Sequence, residues 1–258
     1  MSHNVSQPDG TLIATRKRIG HITPSSNTAL EPITVALNQS VSERVTHHFS
    51  RIRVTQIALN ASSRQFDLQP MLQAAELLAD CLPHAIIWNG TSASWLGLEQ
   101  DQAFAREVQQ RTGIAASTST LAFFDAFHLH GIERIALAVP YDSAVTAQIE
   151  KEYAKQGVQV VNRAFLNQTV NHEFGCNTPD TLRALLRAAD SPQAQCLAVV
   201  CTNLAAAPLV KEMEAELGKP ILDSIAVTFW QACRLAGVDA LIPGWGRLLD
   251  GSLPMAKK

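Results

Sequence analysis

The sequence predicts an α/β fold built as two similar halves, each with a mostly parallel sheet flanked by helices. Two observations carry that expectation. Short apolar, β-branched runs alternate with longer segments of helical periodicity, the pattern of βαβ units. The chain also repeats itself. Arg18-Ile-Gly-His-Ile-Thr-Pro24 resembles Arg134-Ile-Ala-Leu-Ala-Val-Pro140, and Ala85-Ile-Ile-Trp-Asn-Gly90-Thr91-Ser92 resembles Cys196-Leu-Ala-Val-Val-Cys201-Thr202-Asn203. Phe123-Phe-Asp-Ala126-Phe-His-Leu129-His-Gly131 likewise resembles Phe229-Trp-Gln-Ala232-Cys-Arg-Leu235-Ala-Gly237. The matches keep their order, at offsets of 116, 111 and 106 residues. Internal similarity of this kind points to two Rossmann-like α/β halves related by a pseudo-twofold axis, with the active site in the cleft between them.

The elements follow in order. Strands are expected at 18–23, 52–57, 85–88, 114–117, 134–139, 158–162, 197–200 and 220–222. Helical patterns fall at 28–38, 68–81, 98–111, 120–130, 145–156, 179–189, 206–217 and 225–236. Gly131, Gly157, Gly218 and Gly237 each stand where a helix should stop. Residues 1–16 read as a flexible polar tail, 17–118 as the first half and 119–223 as the second, with segment 224–258 crossing back to join the first half.

Composition narrows the function. The chain has 258 residues, a net charge of −2, 47% hydrophobic and 17% charged residues, which is globular. It carries no basic stripe, so nucleic acid is not an expected partner. It has no apolar run of bilayer length and no secretory signal pattern, so no membrane partner is expected and a cytoplasmic location is the default. Homo-oligomers are compatible with this composition. The five cysteines (Cys81, Cys176, Cys196, Cys201 and Cys233) are irregularly spaced and form neither a disulfide framework nor a zinc motif. The eight histidines show no metal-binding spacing. His172 and Cys176 lie in a loop, 167–178, that reads better as a lid than as a metal site. No metal and no cofactor is expected.

Parallel sheets bind ligands beyond the carboxyl ends of their strands. Four strand ends here carry polar loops: Pro24-Ser25-Ser26-Asn27, Gly90-Thr91-Ser92, Pro140-Tyr141-Asp142-Ser143 and Cys201-Thr202-Asn203. In facing halves these loops converge. Each is rich in hydroxyls, amides and free backbone N–H groups and poor in charge, a suitable host for a substrate carboxylate. Singly, Ser25, Ser26, Asn27, Thr91 and Ser92 are ordinary helix caps, Tyr141 is half-buried packing and Cys201 a small hydrophobe. Their equivalence between halves favours a shared site.

At these loops the sequence resembles the aspartate/glutamate racemase superfamily, nearest to its branch of maleate cis-trans isomerases and arylmalonate decarboxylases. The resemblance runs from Arg18 to about Asp250 and includes Pro243-Gly-Trp-Gly-Arg-Leu-Leu-Asp250. Isomerases and racemases of this superfamily use two cysteines, one on each face of the substrate. Here Gly90 occupies the first position and only Cys201 remains, as in the decarboxylase. The resemblance implies a cofactor-independent decarboxylase of a malonate-type acid. Thr91, Ser92 and Tyr141, with backbone N–H groups near Ser92 and Thr202, would hold one carboxylate as a dioxyanion, and Cys201 would protonate the enediolate carbon. The alternatives are a maleate isomerase or amino-acid-type racemase, and a non-catalytic carboxylate binder. Ser25-Ser26-Asn27 and Thr202 replace more apolar or smaller family residues, so a more polar pocket and a more hydrophilic substrate are expected. Gly90→Cys is expected to introduce two-sided chemistry.

Overall fold

A computed structural model describes residues 14–59 and 63–256. The tail expected over 1–16 lies, up to residue 13, outside the described residues. The first sheet uses β1 (Lys17–Pro24), β2 (Val45–Ile52), β3 (Ala85–Trp88) and β4 (Ala116–Thr118). Its helices are α1 (Leu30–Asn38), α2 (Leu68–Ala79), the short α3 (Ala93–Leu96) and α4 (Leu98–Thr112), and α5 (Ser119–His130) follows β4. The second sheet uses β5 (Arg134–Val139), β6 (Gln159–Phe165), β7 (Cys196–Val199) and β8 (Ile221–Asp223). Among them run α6 (Ser143–Lys155), the short α7 (Asn171–Phe174), α8 (Pro179–Ala189) and α9 (Val210–Leu217), with α10 (Ser224–Leu235) last.

The two sheets have the same strand order, β2-β1-β3-β4 and β6-β5-β7-β8, and every pairing is parallel. The expected α/β fold of two like parallel sheets is therefore present. The central strands are apolar on both faces because helices cover both sides: all four residues of β3 and of β7 are buried. Side-chain caps set the helix starts. Thr118 accepts from Leu121 N–H ahead of α5, Asp142 from Val145 N–H ahead of α6, and Asp223 from Ile225 and Ala226 N–H ahead of α10.

Two helices pack across the halves. α5 follows the first sheet, and its Phe123 and Phe127 lie in a core that holds Trp88 and Phe104 of the first half and β5, β7 and Tyr153 of the second. α10 follows the second sheet, yet Ile225, Phe229 and Ala232 pack with Ile19, Leu30, Ile33 and Ile87. The pair meets where Thr228 Oγ1 donates to Ser119 Oγ at 2.7 Å.

The strand expected at 52–57 is displaced. The sheet strand is Val45–Ile52, a run whose two histidines obscure its β character. An edge strand tolerates them: His21, on β1, bonds His47 (Nε2 to Nδ1, 2.8 Å) and stacks on Phe49. Residues 53–57 instead leave the sheet and reach the other half. Ile57 N–H donates to Thr169 O at 2.8 Å, Asn171 N–H donates to Thr55 O at 3.0 Å, and Gln56 forms an antiparallel bridge with Val170. Two loops, one from each half, thus close a strap over the strand ends.

Candidate active site

Beneath that strap the carboxyl ends of β1, β3 and β7 and the Pro140-Tyr141 turn converge on a small cavity. It is lined by Pro24, Val54, Ile57, Phe66, Trp88, Gly90, Thr91, Ser92, Trp95, Tyr141, Asn171, Cys201 and Thr202. Its free volume is about 20 Å³, room for about one water molecule.

Cys201 follows the last residues of β7 and is 3% exposed. Its backbone N–H donates to Ser224 Oγ (2.9 Å), whose hydroxyl donates to Val199 O, which anchors the loop to α10. Burial pushes the Cys201 thiol up to about 12. Hydrogen bonds from Asn203 N–H (3.4 Å) and from the Tyr141 hydroxyl pull it only part of the way back. No cation lines the cavity among the described residues. A thiol surrounded by apolar side chains and neutral dipoles stays protonated at neutral pH.

Across from it, Thr91 Oγ1 and the Tyr141 hydroxyl are 3.0 Å apart, joining the two halves. Burial and the neighbouring Cys201 both push the Tyr141 phenol well above its ordinary range, so it remains a donor. The Ser92 hydroxyl has no partner among the described residues, nor do the N–H groups of Gly90, Thr91, Ser92 and Thr202. These neutral donors around one cavity can hold a carboxylate or an enediolate.

The remaining residues expected to bind substrate are structural braces here. Asn27 donates to Thr202 O (3.0 Å) and Oγ1 (3.2 Å), and its oxygen accepts from Ala29 and Leu30 N–H. Asn203 accepts from Thr28 and Ala29 N–H (2.9 and 3.2 Å) and donates to Asn171 O. Both amides are thus spent between the halves, and neither lines the cavity. Ser25 and Ser26 direct their hydroxyls to Val54 O, and Ser26 also accepts from Asn171 Nδ2 (2.8 Å), so they hold the strap. Thr202 lines the cavity, but its hydroxyl donates to Asn89 O (2.9 Å). The expectation of a more polar pocket is corrected accordingly: these polar groups face the scaffold, and Pro24, Val54, Ile57, Phe66, Trp88 and Trp95 make one wall apolar.

Gly90 departs from expectation more sharply. A Cβ there would lie 2.3 Å from Cε2 and Cζ2 of Trp88, which is fully buried. The repeat pairs Trp88 with Val199 as it pairs Gly90 with Cys201. In the second half a valine leaves room for a cysteine; in the first half an indole occupies that room and demands glycine. Gly90→Cys alone therefore clashes, which corrects the expected gain of two-sided chemistry. The residues missed from sequence were Val54, Ile57, Phe66, Trp88, Trp95 and Asn171. Trp88 alone carried a usable signal, because it lies two positions before Gly90 on the same strand face.

Comparison with known proteins accords with this geometry. The sequence profile of the arylmalonate decarboxylase family matches residues 52–249. The chain belongs to that family. Maleate isomerase of Pseudomonas putida is 26% identical over 248 residues, covering 91% of this chain and 98% of that protein. Arylmalonate decarboxylase of Bordetella bronchiseptica is 29% identical over 167 residues, 63% of this chain and 70% of that one. The fold is shared with a cysteine-to-serine mutant of Nocardia farcinica maleate cis-trans isomerase carrying a covalently bound succinylcysteine intermediate. That match has a TM-score of 0.80 and 22% identity, covering 91% of this chain and 98% of that one. The family thus joins isomerases and decarboxylases in one branch of the aspartate/glutamate racemase superfamily, and this member is an enzyme of that branch. Among the described residues no cluster of potential ligands could hold a metal ion, and no helix is long and apolar enough to cross a membrane.

Proposed function

We propose that this enzyme is a cofactor-independent decarboxylase of a substituted malonate, with Cys201 delivering a proton to one face of the product carbon. The observation that carries this reading is an asymmetry: one buried, neutral thiol, Cys201, lines the cavity from the second half, and Gly90 lies under an indole at the equivalent place in the first. A single acid supports one-sided protonation, whereas racemisation needs an acid and a base on opposite faces.

One carboxylate accepts hydrogen bonds from Thr91, Ser92, Tyr141 and the free N–H groups of the Gly90 and Thr202 loops. The second lies against the wall of Pro24, Val54, Ile57 and Phe66, where loss of hydration favours its departure. The C–C bond breaks, carbon dioxide leaves, and the electron pair enters an enediolate stabilised by the same donors. The Cys201 thiol then gives its proton to the carbon, and the thiolate is reprotonated from solvent. The apolar wall suits an apolar substituent on the reacting carbon. The strap of residues 53–57 and 168–171 covers this cavity, and its displacement would enlarge the room for substrate.

The test is turnover of methylmalonate and phenylmalonate in heavy water. One deuterium on one face of the product, lost in Cys201→Ala, supports the reading. Conversion of maleate to fumarate without release of carbon dioxide overturns it. That second activity is favoured by the near full-length similarity to maleate isomerase, against the 63% of this chain matched by the decarboxylase.

A further inference from the structure

Two side-chain donors of the cavity wall play no part in the site described so far. Among the residues that line the cavity, the indole N–H groups of Trp88 and Trp95 are buried and have no hydrogen-bond acceptor. A buried N–H without an acceptor is costly, and these two differ from the other unpaired buried polar atoms among the described residues in lining the cavity. Trp95 is held edge-on to Tyr141 and Phe66, with ring centroids 5.1 and 5.9 Å away. For Trp88 the position of the N–H is defined further. Its Nε1 lies 2.5 Å from where a Gly90 side chain would begin. It therefore occupies the place that, by the repeat, corresponds to the side chain of Cys201 in the other half.

We propose that the Trp88 indole N–H is a substrate-binding donor that takes a carboxylate oxygen on the Gly90 side of the cavity. The inference deepens the reading above by naming what stands where a second cysteine would be: a neutral donor with no exchangeable acid–base chemistry near neutral pH. Trp88 then has two effects. Its ring volume excludes a side chain at position 90, and its N–H adds a contact to the carboxylate already held by Thr91, Ser92 and Tyr141. Val199, at the equivalent position in the second half, has no polar atom to offer.

The experiment follows the indole N–H signals of the four tryptophans (Trp88, Trp95, Trp230 and Trp245) by ¹H–¹⁵N correlation while malonate is added to the intact enzyme. Trp88→Phe assigns the Trp88 signal; if that variant fails to fold, Phe substitution at the other three assigns it by elimination. The expected result is a downfield shift of the Trp88 signal that saturates together with shifts of the Ser92 and Thr202 backbone amides. In Trp88→Phe, malonate affinity should fall about tenfold, the usual size of one hydrogen bond to a charged group. Saturating shifts of those amides with the Trp88 signal unmoved would overturn the inference and leave the decarboxylase reading standing. A shifted indole without any decarboxylation overturns that reading and supports the carboxylate donor. No shift in any of these signals with malonate or phenylmalonate overturns both.

Discussion

The Trp88–Gly90 pair makes a prediction that needs no knowledge of the substrate. In Gly90→Ala the new Cβ starts 2.3 Å from the indole, whereas ordinary contact begins near 3.4 Å. The ring must retreat by about 1 Å, yet it is fully buried and bordered by Phe66. Overpacking of this kind costs about 1–3 kcal/mol. In a chain of this size that lowers Tm by about 3–10 °C. Trp88→Val alone leaves a cavity and costs about 3–5 kcal/mol. Together the two changes reproduce the Val199/Cys201 spacing, so the clash disappears and the double variant should be more stable than the sum of the single effects by about 1–3 kcal/mol. Urea denaturation of the four proteins closes the cycle. Additivity within about 0.5 kcal/mol would refute the claim that Trp88 enforces glycine at position 90. The same logic carries into chemistry. Trp88→Val/Gly90→Cys should exchange the α-hydrogen of the product with solvent deuterium and erode its optical purity, while Gly90→Cys alone should not.

Other consequences are quickly checked. With burial raising the Cys201 thiol to about 12, kcat/KM should show no alkaline loss through pH 9–10 if the thiol is the acid; a Cys201-dependent fall near the reference value of about 8.5 would contradict this. Burial lowers His21 to about 4 and His47 to about 2, so both are neutral in the native state and protonate first in the unfolded chain. Their contribution to stability is present above pH 6.5 and lost as pH falls. Relative to His47→Phe, the wild type should therefore lose about 1.4 kcal/mol per pH unit between pH 6 and 4.5, measured by urea midpoints. Asp101 and Asp223, which burial raises to about 7, contribute with the opposite sign, and they cancel in that comparison. Asn203→Ala strands the Thr28 N–H, leaves Ala29 N–H with Asn27 Oδ1 alone and removes the donor to Asn171 O, and should cost about 1–3 kcal/mol in thermal unfolding, with the strap loosened and KM changed more than kcat.

The sequence by itself determined the two parallel sheets, the polar turns at their carboxyl ends and the solitary Cys201. Those features are written in local periodicity and helix caps, which act over a few residues, and in a repeat that is legible along the chain. It also placed Thr91, Ser92, Tyr141 and Cys201 around one cleft, because equivalent strand ends of facing halves must converge. What it did not determine is which polar side chains face the cavity and which face the scaffold. Asn27 and Asn203 look alike to Ser92 in a sequence, yet their partners across the halves lie 174 or 175 residues away, at Thr202 and at Thr28 and Ala29. Val54 and Ile57 read as a sheet strand, because only the position of the opposite loop draws them over the cleft. The direction of the Trp88 N–H, and with it the reason for Gly90, is a matter of close packing, which only the tertiary structure decides.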